Sequence, residues 1–146
     1  MAAFANGTLI STTGEDIAIE KITTESVEFL DIDTKQDKFL LCISIDSSLE
    51  AESVHVSTNT GQYIACSATT EFYVLDKGWV NCKNLSVLDK LVCPTGDSIE
   101  YVRNISVESE EITMNSINIG SEEEELSGWK DEYSTLGHFA HGILVK

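Results

Sequence analysis

The thiols are the most reactive side chains in this sequence, and their spacing argues against a metal site. There are four cysteines, each in an apolar or strand-like context: Cys42, Cys66, Cys82 and Cys93. None of them forms the Cys-x-x-Cys pair by which a zinc site is usually recognised. We therefore expect no zinc site. Free thiols in the core are the favoured interpretation, with a disulfide as the alternative.

Two of the three histidines lie at one of the two apolar ends of the chain. Residues 3–10 read AFANGTLI, and residues 138–146 read HFAHGILVK, with His138 and His141 in the second segment. His55, the third, has no sequence neighbour that suggests a role. Chain ends are usually the least ordered part of a domain unless something ties them down. Ends that read as buried strands indicate a domain whose function concerns its own termini.

Short β-type segments must position these residues. Runs rich in Val, Ile, Thr, Phe and Tyr recur between turn residues, while helical periodicity is weak, so the chain is predicted to be all-β. Turn residues predict three hairpins, centred on residues 34–38, 59–61 and 76–78. Residues 20–29 and 83–92 also form a faint repeat, in which a short helical step precedes a strand. The repeat is consistent with two similar β units wrapped around each other.

Two longer segments carry expectations about burial and pairing. Residues 39–45 are almost entirely apolar, which predicts a strand buried on both faces that ends at Ser47 and Ser48. Residues 99–107 and 112–119 alternate apolar and polar side chains, as two antiparallel strands paired with each other do. Residues 121–128 combine acidic and small residues, and we expect a flexible loop there.

Composition sets the broad class of protein. A chain of 146 residues that is 42% hydrophobic is expected to form one domain, residues 1–146, with a real core. The formal net charge of -16 argues against nucleic acid or an anionic membrane surface as a partner. No apolar run approaches the ~20 residues of a membrane helix, and Met1 and Ala2 do not begin a signal peptide. We expect a monomer and assign no compartment.

Three separated motifs, in order along the chain, resemble those of one superfamily. The opening motif is residues 3–10, followed by Gly14 and by IEKI at residues 19–22. The middle motif is SATT at residues 67–70, followed by FYV, GWV and LSVLDKL. The closing motif is FAHGILVK at residues 139–146. Together these motifs resemble the Hint superfamily: inteins, bacterial-intein-like domains and hedgehog autoprocessing domains.

The resemblance implies a fold and an activity. The implied fold is an all-β, pseudo-twofold Hint horseshoe in which the N- and C-termini are adjacent in a central cleft, on neighbouring antiparallel strands. The length matches a minimal form without an inserted endonuclease, and Met1 and Ala2 would be upstream residues. The implied activity is autocatalytic splicing or self-cleavage, a single-turnover reaction on the bonds at the domain's own ends. It needs no cofactor or metal, and its partners are the flanking host segments (exteins) in cis.

The resemblance also assigns roles to positions. A thiol at residue 3 would attack the preceding carbonyl in an N–S acyl shift, and a middle-motif His would protonate the departing amide nitrogen. Ser67 occupies the position of a Thr that orients the scissile peptide. At the far end, a terminal Asn would cyclise and cut the chain while the preceding His polarises its carbonyl.

This sequence departs from the pattern at the reactive positions. Ala3 stands at the nucleophile position, Thr70 at the middle-motif His and Lys146 at the penultimate His, and the terminal Asn is absent. Two explanations compete for Ala3: an engineered replacement of Cys, which we favour because the flanking motif residues are intact, and natural loss. Thr70 and Lys146 are harder to explain by engineering and favour a divergent member.

Other residues are candidates for the missing roles, each with a simpler alternative. His138 and His141 are close enough to the C-terminal junction to supply proton transfer, but His138 also replaces a core aromatic and His141 occupies a turn position that is commonly Asn. Cys66 is expected near the N-terminal junction, where a core thiol is favoured. Asp131 and Glu132 are equally well a solvated pair. The rival functions are a cleavage-only intein-like domain and a catalytically dead β interaction module.

Overall fold

The computed structural model describes residues 2–23, 25–32, 34–93, 100–119 and 136–146. Within these ranges the chain forms strands and two 3-10 turns, which confirms the all-β prediction. The elements are β1 (Phe4–Ala5), β2 (Leu9–Ile10), β3 (Ile17–Ala18), η1 (Ile19–Lys21), β4 (Ser26–Asp31), β5 (Gln36–Glu50), β6 (Ser53–Thr58), β7 (Tyr63–Ser67), β8 (Glu71–Val74), β9 (Gly78–Asn81), η2 (Cys82–Asn84), β10 (Lys90–Leu91), β11 (Glu100–Glu108), β12 (Ile112–Ile119), β13 (Leu136–Ala140) and β14 (Ile143–Val145).

The strand pairings repeat in two halves, as the internal repeat predicted. In the first half the β2–β3 hairpin leads through η1 into β4, which pairs with β5. In the second half the β8–β9 hairpin leads through η2 into β10, which pairs with β11. The two 3-10 turns have matching flanks, with extended residues on both sides of each. The three predicted hairpins, β4–β5, β6–β7 and β8–β9, are confirmed.

The two halves exchange their last strands. β6 follows the first half in the chain but pairs with β7 and β11 of the second. β12 follows the second half but pairs with β1 and β5 of the first. The predicted pairing of β11 with β12 is therefore wrong, because the chain between them crosses from one half to the other. Alternating polarity showed that each strand has one covered face but could not reveal its partner.

The β13–β14 hairpin connects the two halves and closes the sheet. β13 pairs with β2 and β4 of the first half, and β14 pairs with β8 of the second. A two-residue turn joins them, with φ of 48° at His141 and 75° at Gly142. Positive φ at both central residues is the type I′ geometry that suits a two-residue hairpin.

The long strand β5 differs from its prediction in two ways. It runs without a break from Gln36 to Glu50, and its apolar residues Phe39 and Leu41 are about half exposed, at 51% and 49%. The strand continues through Ser47 because its first part pairs with β4 and its second part with β12, so each part has a partner of its own. The expected flexible loop at residues 121–128 lies outside the described residues.

Candidate functional site

The N-terminal end of the chain is held by the segment that joins β7 to β8. The backbone N–H of Ser67 donates to the Ala3 carbonyl oxygen at 2.9 Å. The Thr70 side chain accepts a hydrogen bond from the Ala3 N–H at 3.3 Å, and the same hydroxyl lies 3.5 Å from the Ala3 carbonyl oxygen. Thr70 is fully buried, and Ala2 and Ala3 are nearly so. The amide between Ala2 and Ala3 is therefore enclosed with a hydroxyl group against its nitrogen.

A second hydroxyl extends this contact. The Oγ of Ser67 lies 2.9 Å from the Thr70 Oγ1 and 3.1 Å from the Thr69 Oγ1. A tight turn brings the pair together, since the Thr70 N–H donates to the Ser67 carbonyl at 3.1 Å. Ser67 and Thr70 thus form a connected hydroxyl pair that ends at the Ala3 nitrogen.

The C-terminal end is held by the next residue of the same segment. The backbones of Lys146 and Glu71 exchange two hydrogen bonds, each 2.8 Å long. The two ends therefore bind to consecutive residues, Thr70 and Glu71. The expectation that the end strands are neighbours is wrong in detail, because β1 pairs with β7 and β12 whereas β14 pairs with β8 and β13. The 67–71 segment lies between the ends and brings them together.

The side chain of Lys146 lies over an aromatic ring rather than in the interior. Its Nζ is 4.8 Å from the centre of the Trp79 ring, a cation–π contact. Trp79 also covers Gly137, where an added Cβ would lie 2.5 Å from the Trp79 ring and 2.8 Å from the Val145 carbonyl oxygen. Only glycine fits at position 137, so the β13–β14 hairpin and Trp79 pack closely beside the C-terminal residue.

His138 lies inside the core. It is the cross-strand neighbour of Val145 and of Phe29. Its ring meets those of Phe4 and Phe29 edge-on, with centroids 5.6 Å apart in both pairs. Within the described residues its Nδ1 has no hydrogen-bond partner, and burial lowers the pKa of His138 to about 4. The imidazole is therefore neutral at pH 7 and occupies an aromatic core position.

His141 is the first residue of the β13–β14 turn. Its backbone N–H donates to the Leu9 carbonyl at 2.8 Å. Burial lowers the pKa of His141, and the Asp16 carboxylate partly opposes that shift. His141 and Lys146 are at opposite ends of β14. His141 therefore lies in the turn, away from the C-terminal residue, at the turn position that its sequence context suggested.

Two of the four thiols are beside the segment that holds Ala3. Cys66 pairs with Phe4 across β7 and β1 and immediately precedes Ser67. The backbone N–H of Cys82 donates to the Thr70 carbonyl at 2.9 Å, and its thiol lies 3.3 Å from the Ser67 carbonyl oxygen. The three buried cysteines, Cys42, Cys66 and Cys82, are free thiols in this structure.

The structure also identifies positioning residues that sequence reasoning missed. The amide of Asn115, buried on β12, donates to the Phe4 carbonyl at 3.2 Å and to the Asn6 side chain at 2.7 Å. The Glu20 carboxylate accepts the Gly7 N–H, at 2.9 and 2.7 Å to its two oxygens. An Asn within an alternating strand gave no signal, because its position reads equally well as solvent-facing.

The described residues hold no group of three or more His, Cys, Asp or Glu side chains that could bind a metal ion. In the same part of the chain no helix is long and apolar enough to cross a membrane. Asp131 and Glu132, considered as acidic candidates, lie outside the described residues.

Comparison with known proteins identifies the fold. No protein-family model and no curated protein matches the sequence. Among solved structures, the chain is similar to a bacterial intein-like domain from Clostridium thermocellum, with a TM-score of 0.78, 20% identity and coverage of 99% of this chain and 97% of that one.

Two further structures are inteins. A DnaB intein from Synechocystis sp. PCC 6803 matches with a TM-score of 0.75, 16% identity and coverage of 99% and 97%. The TvoVMA intein matches with a TM-score of 0.73, 14% identity and coverage of 99% and 96%. The chain has the Hint fold of inteins, over essentially its whole length and theirs.

Proposed function

We propose that this domain is built to rearrange the peptide bonds at its own ends, as an autoprocessing domain of the splicing or self-cleaving kind. The observation that carries the proposal is the Thr70 hydroxyl, which accepts a hydrogen bond from the Ala3 N–H at 3.3 Å. That nitrogen is the leaving group when the bond between residues 2 and 3 is broken. The host segments on either side are the partners, in cis.

The N-terminal step would use the two hydroxyls in sequence. A nucleophile at position 3 attacks the carbonyl carbon of Ala2, the new bond forms to that carbon, and the C–N bond to residue 3 breaks. The departing nitrogen gains the proton that the nucleophile loses, so the step consumes no proton overall. The Thr70 hydroxyl, which lies against that nitrogen, is placed to relay this proton, and Ser67, 2.9 Å from Thr70, is placed to accept and return a proton during the relay. This is proton transfer by positioned side chains, for which geometry is the first requirement.

Enclosure of the bond supports the same proposal. The Ser67 N–H fixes the residue 3 carbonyl at 2.9 Å, and Ala2 and Ala3 are buried. Holding a reacting bond in one orientation removes much of the entropic part of its activation barrier. Because the methyl group of Ala3 cannot attack a carbonyl, the chain with Ala3 does not perform this step.

The C-terminal end supports cleavage at the first junction more directly than complete splicing. Lys146 stands where the penultimate His is expected, and its side chain lies over Trp79. His138 is buried against Phe4 and Phe29, and His141 is in the turn at the far end of β14. We therefore assign both histidines to the fold and the proton-transfer role to Thr70.

The test restores the nucleophile. The Ala3→Cys variant is expressed between two flanking proteins, and the products are resolved by gel and mass spectrometry. We expect cleavage before residue 3, accelerated by added thiol, and mass spectrometry separates cleaved from ligated products. The Ala3→Ser variant is the matched control for a weaker nucleophile, and the unchanged chain is the inactive control.

A precursor that stays intact in the Ala3→Cys variant, with and without thiol, would contradict the catalytic proposal. It would leave the inactive β interaction module as the better account of the same fold. The observation that favours this second function is that Ala3 and Thr70 stand where the resemblance expects a Cys and a His, in an otherwise well packed site.

A further inference from the structure

We propose that Cys66 and Cys82 form a reversible disulfide beneath the segment that binds the two ends of the chain. The pair would be a redox modification site whose co-reactant is a low-molecular-weight disulfide. The inference does not depend on the proposed function, because it concerns the chain with Ala3 as it stands.

The geometry brings these two thiols together. Both side chains are fully buried in the same core cluster. The Cys82 thiol donates to the carbonyl of Ser67, the residue that follows Cys66, at 3.3 Å. The Cys82 backbone is also fixed to the segment by its hydrogen bond to the Thr70 carbonyl at 2.9 Å. Cys66 therefore directly precedes the Ser67–Thr70 turn, and Cys82 is hydrogen-bonded to both ends of that turn.

The two thiols also differ in acidity. The neighbouring Cys82 thiol, together with burial, raises the pKa of Cys66. The Cys66 thiol in turn lowers the pKa of Cys82, to which the Lys83 backbone and charge contribute. By contrast, burial raises the pKa of Cys42 to about 11. Since the thiolate is the attacking species, Cys82 is the reactive member.

The reaction is a balanced two-step exchange. The Cys82 thiolate attacks one sulfur of the small disulfide, forming a mixed disulfide and releasing one small thiol. The Cys66 sulfur then attacks the Cys82 sulfur, releasing the second small thiol and closing the Cys66–Cys82 bond. The protein loses two hydrogens and two electrons, and the small disulfide is reduced to two thiols. Access to Cys82 requires a local opening at its neighbours Asn81, half-buried, and Lys83, exposed.

The Cys66–Cys82 disulfide would restrain the 67–71 segment, which binds both ends of the chain. The loop between the two cysteines, residues 67–81, contains Ser67, Thr70 and Glu71, and also the β8–β9 hairpin. A covalent link across this loop restricts the unfolded chain and stabilises the folded one. The oxidised protein would therefore hold the binding segment more firmly than the reduced protein does.

The experiment uses the chain with Cys42→Ser and Cys93→Ser, so that Cys66 and Cys82 are the only thiols. It is incubated with cystamine, a small cationic disulfide suited to an acidic protein, then alkylated, digested and mapped by mass spectrometry. We expect a peptide linking Cys66 to Cys82 and a protein mass lower by about 2 Da. The melting temperature should rise by about 6–12 °C, and dithiothreitol should reverse both changes.

The matched control adds Cys82→Ser, which should give no mass loss and no rise in melting temperature. Three outcomes would overturn the proposal: two unlinked cysteamine adducts, alkylation of both thiols after cystamine treatment, or a linked peptide whose formation leaves the melting temperature unchanged. Because the first chain retains both cysteines of the pair, the result does not depend on whether the control variant folds.

Discussion

The hydroxyl of Thr70 lies against the amide of Ala3 on one side and the hydroxyl of Ser67 on the other. The resemblance named both positions, Ser67 as an orienting residue and Thr70 in the place of a His. It did not indicate that the Thr70 hydroxyl would lie against the nitrogen of residue 3. That contact depends on the turn from Ser67 to Thr70, which places the shorter side chain close enough to reach the backbone of residue 3.

Replacing Thr70 tests this contact in the Ala3→Cys background. Thr70→Val removes the hydroxyl while keeping the shape, so we expect cleavage before residue 3 to slow by about 10²-fold or more. Thr70→Ser should retain most of the rate. The measurement is the time course of precursor loss on a gel. Thr113→Val, at an exposed strand position, is the control, and equal rates for the two valine variants would contradict a role for the Thr70 hydroxyl.

His138 predicts a pH dependence of stability. Its pKa is about 4 in the folded chain and near 6.5 when unfolded, so the unfolded chain binds more protons between these values. Its contribution is therefore complete above pH 6.5 and falls as the pH drops toward 4, by about 2–3 kcal/mol. His138→Phe should remove this part of the dependence in urea unfolding at pH 7.0 and 4.5. A variant that loses as much stability as the parent would contradict the assignment.

Asn115 marks the limit of residue-level prediction. Its amide joins the Phe4 carbonyl to the side chain of Asn6, and its own oxygen accepts the Ser47 hydroxyl at 2.7 Å. This side chain joins three parts of the chain that are far apart in sequence, namely residues 4–6, β5 and β12. No local sequence pattern predicts these contacts, because they depend on the pairing of β12 with β1 and β5.

At the scale of elements, hairpins were predictable and non-local pairings were not. The turns of β4–β5, β6–β7 and β8–β9 carry their own residue signals within a few positions. The partners of β11 and β12 depend on the exchange of strands between the two halves, and no signal in the neighbouring residues predicts that exchange. The apolar run of β5 likewise predicts a covering layer on both faces of the strand, but it does not show that such a layer is present. Phe39 and Leu41 are in fact about half exposed.

Gly137 offers a sharp test of packing between elements. A Cβ at this position would meet the Trp79 ring, the Leu144 side chain and the Val145 carbonyl oxygen, all within 2.8 Å. The backbone oxygen cannot move without disturbing β14. We therefore expect Gly137→Ala to lower the free energy of unfolding by about 1–3 kcal/mol, measured by urea denaturation.

The matched control is Gly14→Ala. A Cβ at Gly14 meets nothing within 4 Å and its φ is not positive, so this change should be neutral or slightly stabilising. Equal effects of the two substitutions would show that the β13–β14 hairpin does not pack against Trp79 as described.

At the scale of the whole molecule, the exchanged strands make the two halves mutually dependent. Without β12 the second part of β5 has no partner in the first half, and without β6 most of β11 has no partner in the second half, where it pairs only with the short strand β10. The resemblance of the three motifs to the Hint superfamily implied the pseudo-twofold fold. Their spacing did not predict the exchange, because it is a property of connections rather than of any motif.

Cutting the chain in the β6–β7 turn tests this dependence. Residues 1–60 and residues 61–146, prepared separately, should each show the circular dichroism of an unfolded chain. Mixed together, they should regain a β signal with a midpoint that depends on concentration. The intact chain at the same total concentration is the control. A cooperative thermal transition in either fragment alone would contradict the prediction.

The consecutive positions of Thr70 and Glu71 have a consequence for how the two ends influence each other. One end binds Thr70 and the other binds Glu71, so the two contacts share one peptide unit. If binding of one end changes the binding free energy of the other, thermodynamic linkage requires the reverse effect to have the same size. The shortest route for such coupling is the peptide unit between Thr70 and Glu71.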